Sequence, residues 1–261
     1  MGNRAKELLK EGKMSLGGWE SLNNAGAAEV MARAGFDWIA ADVEHASHSV
    51  QDFAYMATAV KAQGCVPIAR VFDKSMCSIR RILDAGAMGV IVPMIRTADD
   101  AREVVKAAKF PPLGIRGAGA GPYCGYGITL NEAIATGNEE TLVIVMVETK
   151  EAVENIDEIL EVEGIDGIFM GPFDLSCSYG FPGDITNPVV SAAMVKVWES
   201  CKKHGKAAGM HVIPNDEKIL SDAIEKGFTF LALSFDSNFI YLGSRGMLET
   251  AKKAAEAVGT K

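Results

Sequence analysis

The stretch whose reading decides the fold runs from residue 142 to residue 176 and holds two apolar runs, each leading to an acid. Leu142-Val143-Ile144-Val145-Met146-Val147 ends at Glu148, and Ile165-Asp166-Gly167-Ile168-Phe169-Met170 passes through Gly171-Pro172-Phe173 to Asp174. Short runs rich in β-branched residues with polar ends read as strands buried on both faces, as in a parallel sheet. In a barrel of alternating strands and helices, the C-terminal strand tips carry the chemistry. Carboxylates at two successive tips suit one hard divalent cation.

The same unit repeats on either side. Strands are predicted over 14–19, 36–41, 66–69 and 89–92 upstream, and over 207–210 and 228–233 downstream. Between them, helices are predicted over 25–34, 50–62, 76–85, 98–109, 188–204, 216–226 and 238–257. Gly35, Gly64, Gly86 and Gly227 stand where several of these should stop. Eight strand–helix alternations predict one α/β domain over 1–261, a (β/α)8 TIM barrel with an N-terminal helix. A doubly wound open sheet also alternates, but the count of eight favours the barrel.

Composition narrows the class. With 48% hydrophobic and 23% charged residues the chain reads as globular. A formal net charge of -8 argues against nucleic acid or an anionic membrane as partner. No apolar run approaches the roughly 20 residues a membrane helix needs. The charged, amphipathic start of the chain lacks the apolar core of a signal peptide. Five cysteines, none in a Cys-x-x-Cys pair, suit free thiols in a reducing cytoplasm.

His45, Arg70, Glu148 and Asp174 follow predicted strands two, three, five and six, so all four project at one face of a barrel. Any one of them alone reads more simply as a helix cap, a surface ion pair or a structural histidine. Four at equivalent tips argue for a site. Two carboxylates leave a magnesium-like ion open positions, which the paired oxygens of a 2-oxo acid fit. Such an ion polarises the keto group, Arg70 offers fixed positive charge to a developing oxyanion, and His45 can move a proton near neutral pH.

Short motifs recur in order along nearly the whole chain. They are Ala34-Gly35-Phe36-Asp37-Trp38, Asp42-Val43-Glu44-His45-Ala46, Arg70, Leu83-Asp84-Ala85-Gly86 and Val92-Pro93-Met94. Further on come Pro111-Pro112-Leu113-Gly114-Ile115-Arg116-Gly117, Glu148-Thr149 and Val162-Glu163-Gly164-Ile165-Asp166-Gly167. Gly171-Pro172-Phe173-Asp174-Leu175-Ser176 and Phe230-Leu231-Ala232 complete the set. Together these resemble the HpcH/HpaI aldolase family of metal-dependent class II pyruvate aldolases.

The resemblance implies a (β/α)8 barrel with Glu148 and Asp174 as ligands of a divalent ion (Mg²⁺, Mn²⁺ or Co²⁺). It implies His45 as catalytic base, Arg70 as stabiliser of a pyruvate enolate, and Asp84 as the acid that pairs with the histidine. Spacing alone reads Asp84 as a helix-end surface acid, so that role rests on the resemblance. The implied reaction is reversible cleavage of a 4-hydroxy-2-oxo acid to pyruvate and an aldehyde. A homohexamer, its last helix packed on a neighbouring subunit, is implied as well.

Some positions depart from the family pattern. Met146 stands where a substrate-contacting Gln is usual. Phe173 stands where Ala or Ser is usual, at the residue whose backbone amide binds the substrate carboxylate. Val43 and Ser47 replace a Gly and a Pro. The glycine-rich loop from Gly117 to Gly127 lacks the usual Arg-containing stretch; its spacing does not fit a dinucleotide fingerprint, and it reads as a mobile, substrate-facing loop. Tyr123 and Tyr126 either line the aldehyde end or pin the loop. His48 reads as surface or supporting, His211 as a possible pocket residue, and His204 as a helix-end charge. Lys150 raises a Schiff-base alternative that the intact acid pair disfavours.

Met146 and Phe173 also motivate a second reading: a related lyase, decarboxylase or carbon–carbon bond-forming enzyme acting on an oxaloacetate-like 2-oxo acid. A non-catalytic 2-oxo-acid-binding protein is a third, disfavoured because binding alone does not need His45 and a partner acid.

Overall fold

Every predicted strand forms, with its ends within two residues of expectation. In a computed structural model that describes residues 2–259, the chain begins α1 (Arg4–Lys10), β1 (Ser15–Glu20), α2 (Ala25–Arg33), β2 (Trp38–Asp42), α3 (Val50–Ala62) and β3 (Val66–Arg70). It continues with α4 (Met76–Asp84), β4 (Gly89–Val92) and α5 (Ala98–Ala108). A 3-10 segment (Pro122–Gly127) and α6 (Leu130–Glu140) precede β5 (Leu142–Val147), and α7 (Lys150–Glu154) and α8 (Ile156–Leu160) precede β6 (Gly167–Met170). The remainder is α9 (Pro172–Ser178), α10 (Pro188–His204), β7 (Ala207–Val212), α11 (Glu217–Glu225), β8 (Phe230–Phe235) and α12 (Asp236–Ala257). All neighbouring strands pair in parallel, and β8 pairs back onto β1, so the sheet closes as a (β/α)8 barrel.

The period-two alternation of a strand sorts its side chains into two cores. Inward residues fill the interior: Trp38, Ala40, Val66, Ile68, Leu142, Ile144, Met146, Phe169 and Phe230. Trp38 stacks on Phe230 with ring centroids 4.3 Å apart, and Phe169 meets Phe230 edge-on. Gly17 is required on β1, because a Cβ there would lie 2.0 Å from the Trp38 ring. Outward residues such as Ile39, Ala41, Val143, Val145 and Val147 pack beneath the helices. Several helices start on side-chain caps; Ser49 with Asp52, and Thr97 with Asp100, form capping boxes on α3 and α5.

The N-terminal helix closes one end of the barrel. Asn3 Nδ2 donates to the carbonyls of Met88 and Glu140, both at 2.7 Å, and Lys6 Nζ donates to the Thr141 carbonyl and pairs with Asp166. These partners all lie just before strands, so α1 plugs the end where strands begin. The open mouth is at the other end, where strands finish.

Two expectations are corrected here. The glycine-rich loop follows α5 and leads to β5, so it lies at the plugged end and does not face the mouth of its own chain. Tyr123 packs there near Phe110, with centroids 6.4 Å apart, and Cys124 is buried. The segments α6 to α9 were not predicted as helices: α7 and α8 are five residues each, α6 buries no residue and so carries no apolar stripe, and α9 is seven residues long.

Candidate active site

The alternation that fills the interior also selects the side chains at the mouth. Continuing inward positions 38 and 40 of β2 gives Asp42; 66 and 68 of β3 give Arg70; 142, 144 and 146 of β5 give Glu148; 207 and 209 of β7 give His211. Trp19 joins them from β1.

Arg70 and Asp42 are register partners on adjacent strands. Arg70 Nε donates to Asp42 Oδ1 at 3.0 Å, Nη2 donates to Oδ2, and Nη1 lies 3.4 Å from Glu44 Oε2. The guanidinium carbon sits 5.2 Å from the Trp19 ring centroid, a cation–π arrangement. Burial raises the Asp42 carboxyl, but the bond and charge of Arg70, with the His45 N–H, outweigh it and hold the group below its usual range. The N–H groups of Glu44 and His45 both donate to Asp42 Oδ1, at 3.2 and 3.1 Å. One aspartate therefore fixes both the arginine and the backbone of the histidine.

Glu148 is buried, and its Oε1 accepts the Met94 N–H at 2.6 Å. Met94 reaches this pose with φ of 58°, in the left-handed region, at a cost of about 1–3 kcal/mol that the surrounding barrel sustains. Ser234 (φ 54°) is a second such residue at the mouth, and its carbonyl meets His211 Nε2 at 2.9 Å. Gly171 lets α9 approach Glu148, since a Cβ there would stand 3.0 Å from Glu148 Oε2.

The electrostatics favour a cation. Burial, with the negative charges of Glu44 and Asp174, pushes the Glu148 carboxyl up to about 7, against the opposing pull of the Met94 N–H and Arg70. Burial also raises Glu44; Asp42 and Asp174 add to the rise, and Arg70 opposes it. The mouth thus gathers more negative charge than Arg70 compensates. Among the described residues no three of His, Cys, Asp and Glu converge as a ready-made metal cage. A two-carboxylate set fits a magnesium-like ion, which retains waters and binds substrate oxygens in its other positions.

His45 stands at the rim, its side chain 62% exposed, with Nε2 3.6 Å from Glu44 Oε2. His211 packs against Trp19 (centroids 5.3 Å apart) and Phe235; burial, with Arg70 adding, lowers its pKa despite the Ser234 carbonyl and Asp42. It forms a partly buried wall of the mouth.

The HpcH/HpaI aldolase/citrate lyase family model matches residues 16–241, from β1 into α12. The chain belongs to this family. The chain is 38% identical to the 2-keto-3-deoxy-L-rhamnonate aldolase of Salmonella gallinarum over 243 residues, 91% of this chain and 88% of that protein. It is 34% identical to the 4-hydroxy-2-oxo-heptane-1,7-dioate aldolase of Shigella boydii serotype 4, over 100% of this chain and 98% of that one. The crystal structure of an HpcH/HpaI aldolase/citrate lyase family protein from Burkholderia cenocepacia J2315 superposes with a TM-score of 0.90 at 33% identity, covering 96% and 99% of the two chains.

Within this aldolase-family barrel, His45, Arg70, Glu148 and Asp174 meet at the mouth. Asp174 is exposed in the first turn of α9, and Phe173 beside it is 56% exposed. Asp84 is elsewhere. It ends α4 at the plugged end of the barrel, where Arg116 Nη2 donates to its Oδ1 at 2.8 Å and the Arg116 guanidinium lies 4.7 Å from both the Phe110 and the Tyr123 ring centroids. The implied pairing of Asp84 with His45 is therefore not made inside one chain, because α4 carries the acid away from the mouth. The His48 side chain is buried, His204 pairs with Asp157 at 2.8 Å, and Lys150 lies at the surface facing Glu154. Spacing assigned no role to Asp42, Glu44, Trp19 or Met94. For Asp42 the signal was present, since it continues the inward alternation of β2.

Proposed function

We propose that this chain is a divalent-cation-dependent aldolase that reversibly cleaves a 4-hydroxy-2-oxo acid to pyruvate and an aldehyde. The observation that carries the reading is the convergence of Glu148, Asp174 and Arg70 at the mouth, with His45 on the rim above them. Glu148 and Asp174 would hold the cation, and Mg²⁺, Mn²⁺ and Co²⁺ all suit their oxygen donors. When bound, the cation supplies Lewis-acid polarisation of the keto group.

The chain's own residues do the rest. Arg70, immobilised by Asp42 and Glu44, presents fixed charge to the oxygen on which negative charge develops as the carbon–carbon bond breaks. The backbone N–H of Phe173 lies in the first turn of α9, where helix N–H groups lack intrahelical acceptors, and is suited to the substrate carboxylate. His45 takes the proton from the 4-hydroxyl; the C3–C4 bond breaks, the aldehyde forms, and protonation at C3 completes pyruvate. In the synthetic direction the same groups act in reverse.

Asp84 can support His45 only from another subunit, since its own lies at the opposite end of the barrel. The exposed apolar residues of α12, among them Ile240, Tyr241, Met247 and Leu248, are suited to burial in such an assembly, and a homohexamer fits this reading. The five free cysteines fit a reducing cytoplasm, and among the described residues no helix is long and apolar enough to cross a membrane.

Met146 favours a narrower second reading on an oxaloacetate-like substrate: it is buried beside Glu148, where its methyl group replaces the hydrogen-bonding amide usual in the family. The test is direct. Incubation with 4-hydroxy-2-oxo acids should release pyruvate, cease with a chelator and resume on adding Mg²⁺, Mn²⁺ or Co²⁺. Release that ignores the chelator contradicts the cation's role; turnover of oxaloacetate alone, followed by NMR, selects the second reading.

A further inference from the structure

The outward face of β1 ends in a buried acid that the reaction as described does not use. Glu20 alternates with the inward Trp19 and is fully buried behind the barrel wall. Its Oε1 accepts the backbone N–H of Asn24 at 2.8 Å. Its Oε2 lies 2.7 Å from Nε2 of His48, whose side chain is only 1% exposed. The contact does not meet hydrogen-bond geometry, and among the described residues neither Glu20 Oε2 nor the His48 ring nitrogens have a hydrogen-bond partner. Each group is compensated by the charge of the other, and removing either leaves an uncompensated buried group.

His48 sits three residues beyond His45 in the loop between β2 and α3. At its near end that loop is tied through the Glu44 and His45 N–H groups to Asp42. At its far end it is tied to the loop after β1. There Asn23, at φ 53°, donates from Nδ2 to the Ser47 carbonyl at 3.0 Å and to Asp52 Oδ2 at 3.2 Å. Among the described residues the only charged partner of the His45 ring is Glu44, at 3.6 Å, so its position depends on how its backbone is held. We propose that Glu20 and His48 form a buried charge pair that positions the His45 loop, making both of them positioning residues for proton transfer at His45. This rests on the reading of His45 as the base.

The pair makes the loop pH-sensitive. Burial lowers the His48 pKa, but the close carboxylate of Glu20, with the charges of Asp42 and Asp52, outweighs it, so the net shift is upward. These acids come from β1, β2 and α3, the elements packed around the ring. A histidine raised in this way stays charged below its folded pKa, and the ordering is lost as pH rises through that value.

The experiment combines NMR titration of the histidine rings in the cation-free protein with kinetics of the loaded enzyme. The chain has four histidines, few enough to resolve and assign. Expected in the parent are a His48 midpoint above the ordinary 6.5 and a second inflection in the His45 signals at that same pH. In Glu20→Gln the His48 midpoint should fall, and that His45 inflection should follow it down. The alkaline limb of kcat should shift likewise, with KM for pyruvate within about twofold of the parent. His48→Gln should lower kcat on the order of tenfold or more. Pairing it with Glu20→Gln should recover most of that loss and abolish the limb. A His48 midpoint unmoved by Glu20→Gln, or His45 signals blind to His48, overturns the proposal. Lack of any pyruvate turnover by the parent would instead contradict the aldolase reading, and the coupled histidine titrations would still decide the pair.

Discussion

Asp42 and Arg70, register partners on β2 and β3, meet at the barrel mouth as a two-point ion pair, and the same aspartate binds the backbone N–H of His45. One side chain thus holds both the guanidinium proposed to stabilise the oxyanion and the backbone of the proposed base.

Removing it should therefore damage two steps at once. Asp42→Ala is expected to lower kcat/KM on the order of a hundredfold or more, with kcat falling more than KM rises, while Glu148 and Asp174 still bind the cation. Arg70→Lys should not preserve activity, because an ammonium cannot reproduce the forked contact with Asp42. Steady-state kinetics beside calorimetric Mn²⁺ binding separate these effects; loss of cation binding in Asp42→Ala would count against this division of labour.

Cation binding should depend on pH through Glu148. Its carboxyl is pushed up to about 7 by burial and by the charges of Glu44 and Asp174, and the carboxylate must be ionised to act as a ligand. A raised acid is protonated in the folded chain below that value, so affinity should weaken by about tenfold per pH unit below 7 and level off above it. In Met146→Gln, an amide beside the carboxylate should move this break to lower pH. Calorimetric titrations with Mn²⁺ between pH 5 and 8 read the break; an affinity flat across that range would contradict the assignment of Glu148.

Much of this site was legible in the chain. The β-branched runs ending at Glu148 and leading to Asp174 marked buried strands and their tips, because burial on both faces leaves little other use for such runs. The loop from Gly117 to Gly127 reads from its glycines as substrate-facing but does not face the mouth of its own chain, and its position after α5 and before β5 already places it where strands begin. Asp84 misled for a related reason: motif resemblance carries a residue's partner without saying which subunit supplies it. Met94 and Ser234 were not legible, since nothing in spacing reveals a left-handed backbone that aims an N–H or a carbonyl at a neighbour. Nor was the Glu20–His48 contact, which joins two loops through side-chain geometry alone.

Subunit mixing tests the placement of Asp84. His45→Ala and Asp84→Asn should each lose most activity on the order of a hundredfold. Dissociated and reassembled together, they should regain part of it, because some interfaces then combine an intact His45 with an intact Asp84. Mixed assemblies no more active than the separate variants would contradict support across an interface.

Substrate choice should respond to Phe173. Phe173→Ala is expected to leave the exchange of pyruvate protons within about threefold of the parent while changing the ranking of aldehyde acceptors, since the ring is exposed at the mouth and only the backbone N–H is assigned to pyruvate. Competition among aldehydes of graded size, followed by product analysis, measures this; an unchanged ranking would remove Phe173 from the aldehyde side.

The most direct measurement follows the methyl protons of pyruvate by NMR in deuterated buffer with the enzyme and Mg²⁺. Reversible enolate formation at Arg70 and the cation site predicts steady deuterium incorporation that stops with a chelator and is lost in Glu148→Ala. Pyruvate that keeps its protons beside the loaded, folded enzyme, or exchange that persists in Glu148→Ala with chelator present, would contradict the account.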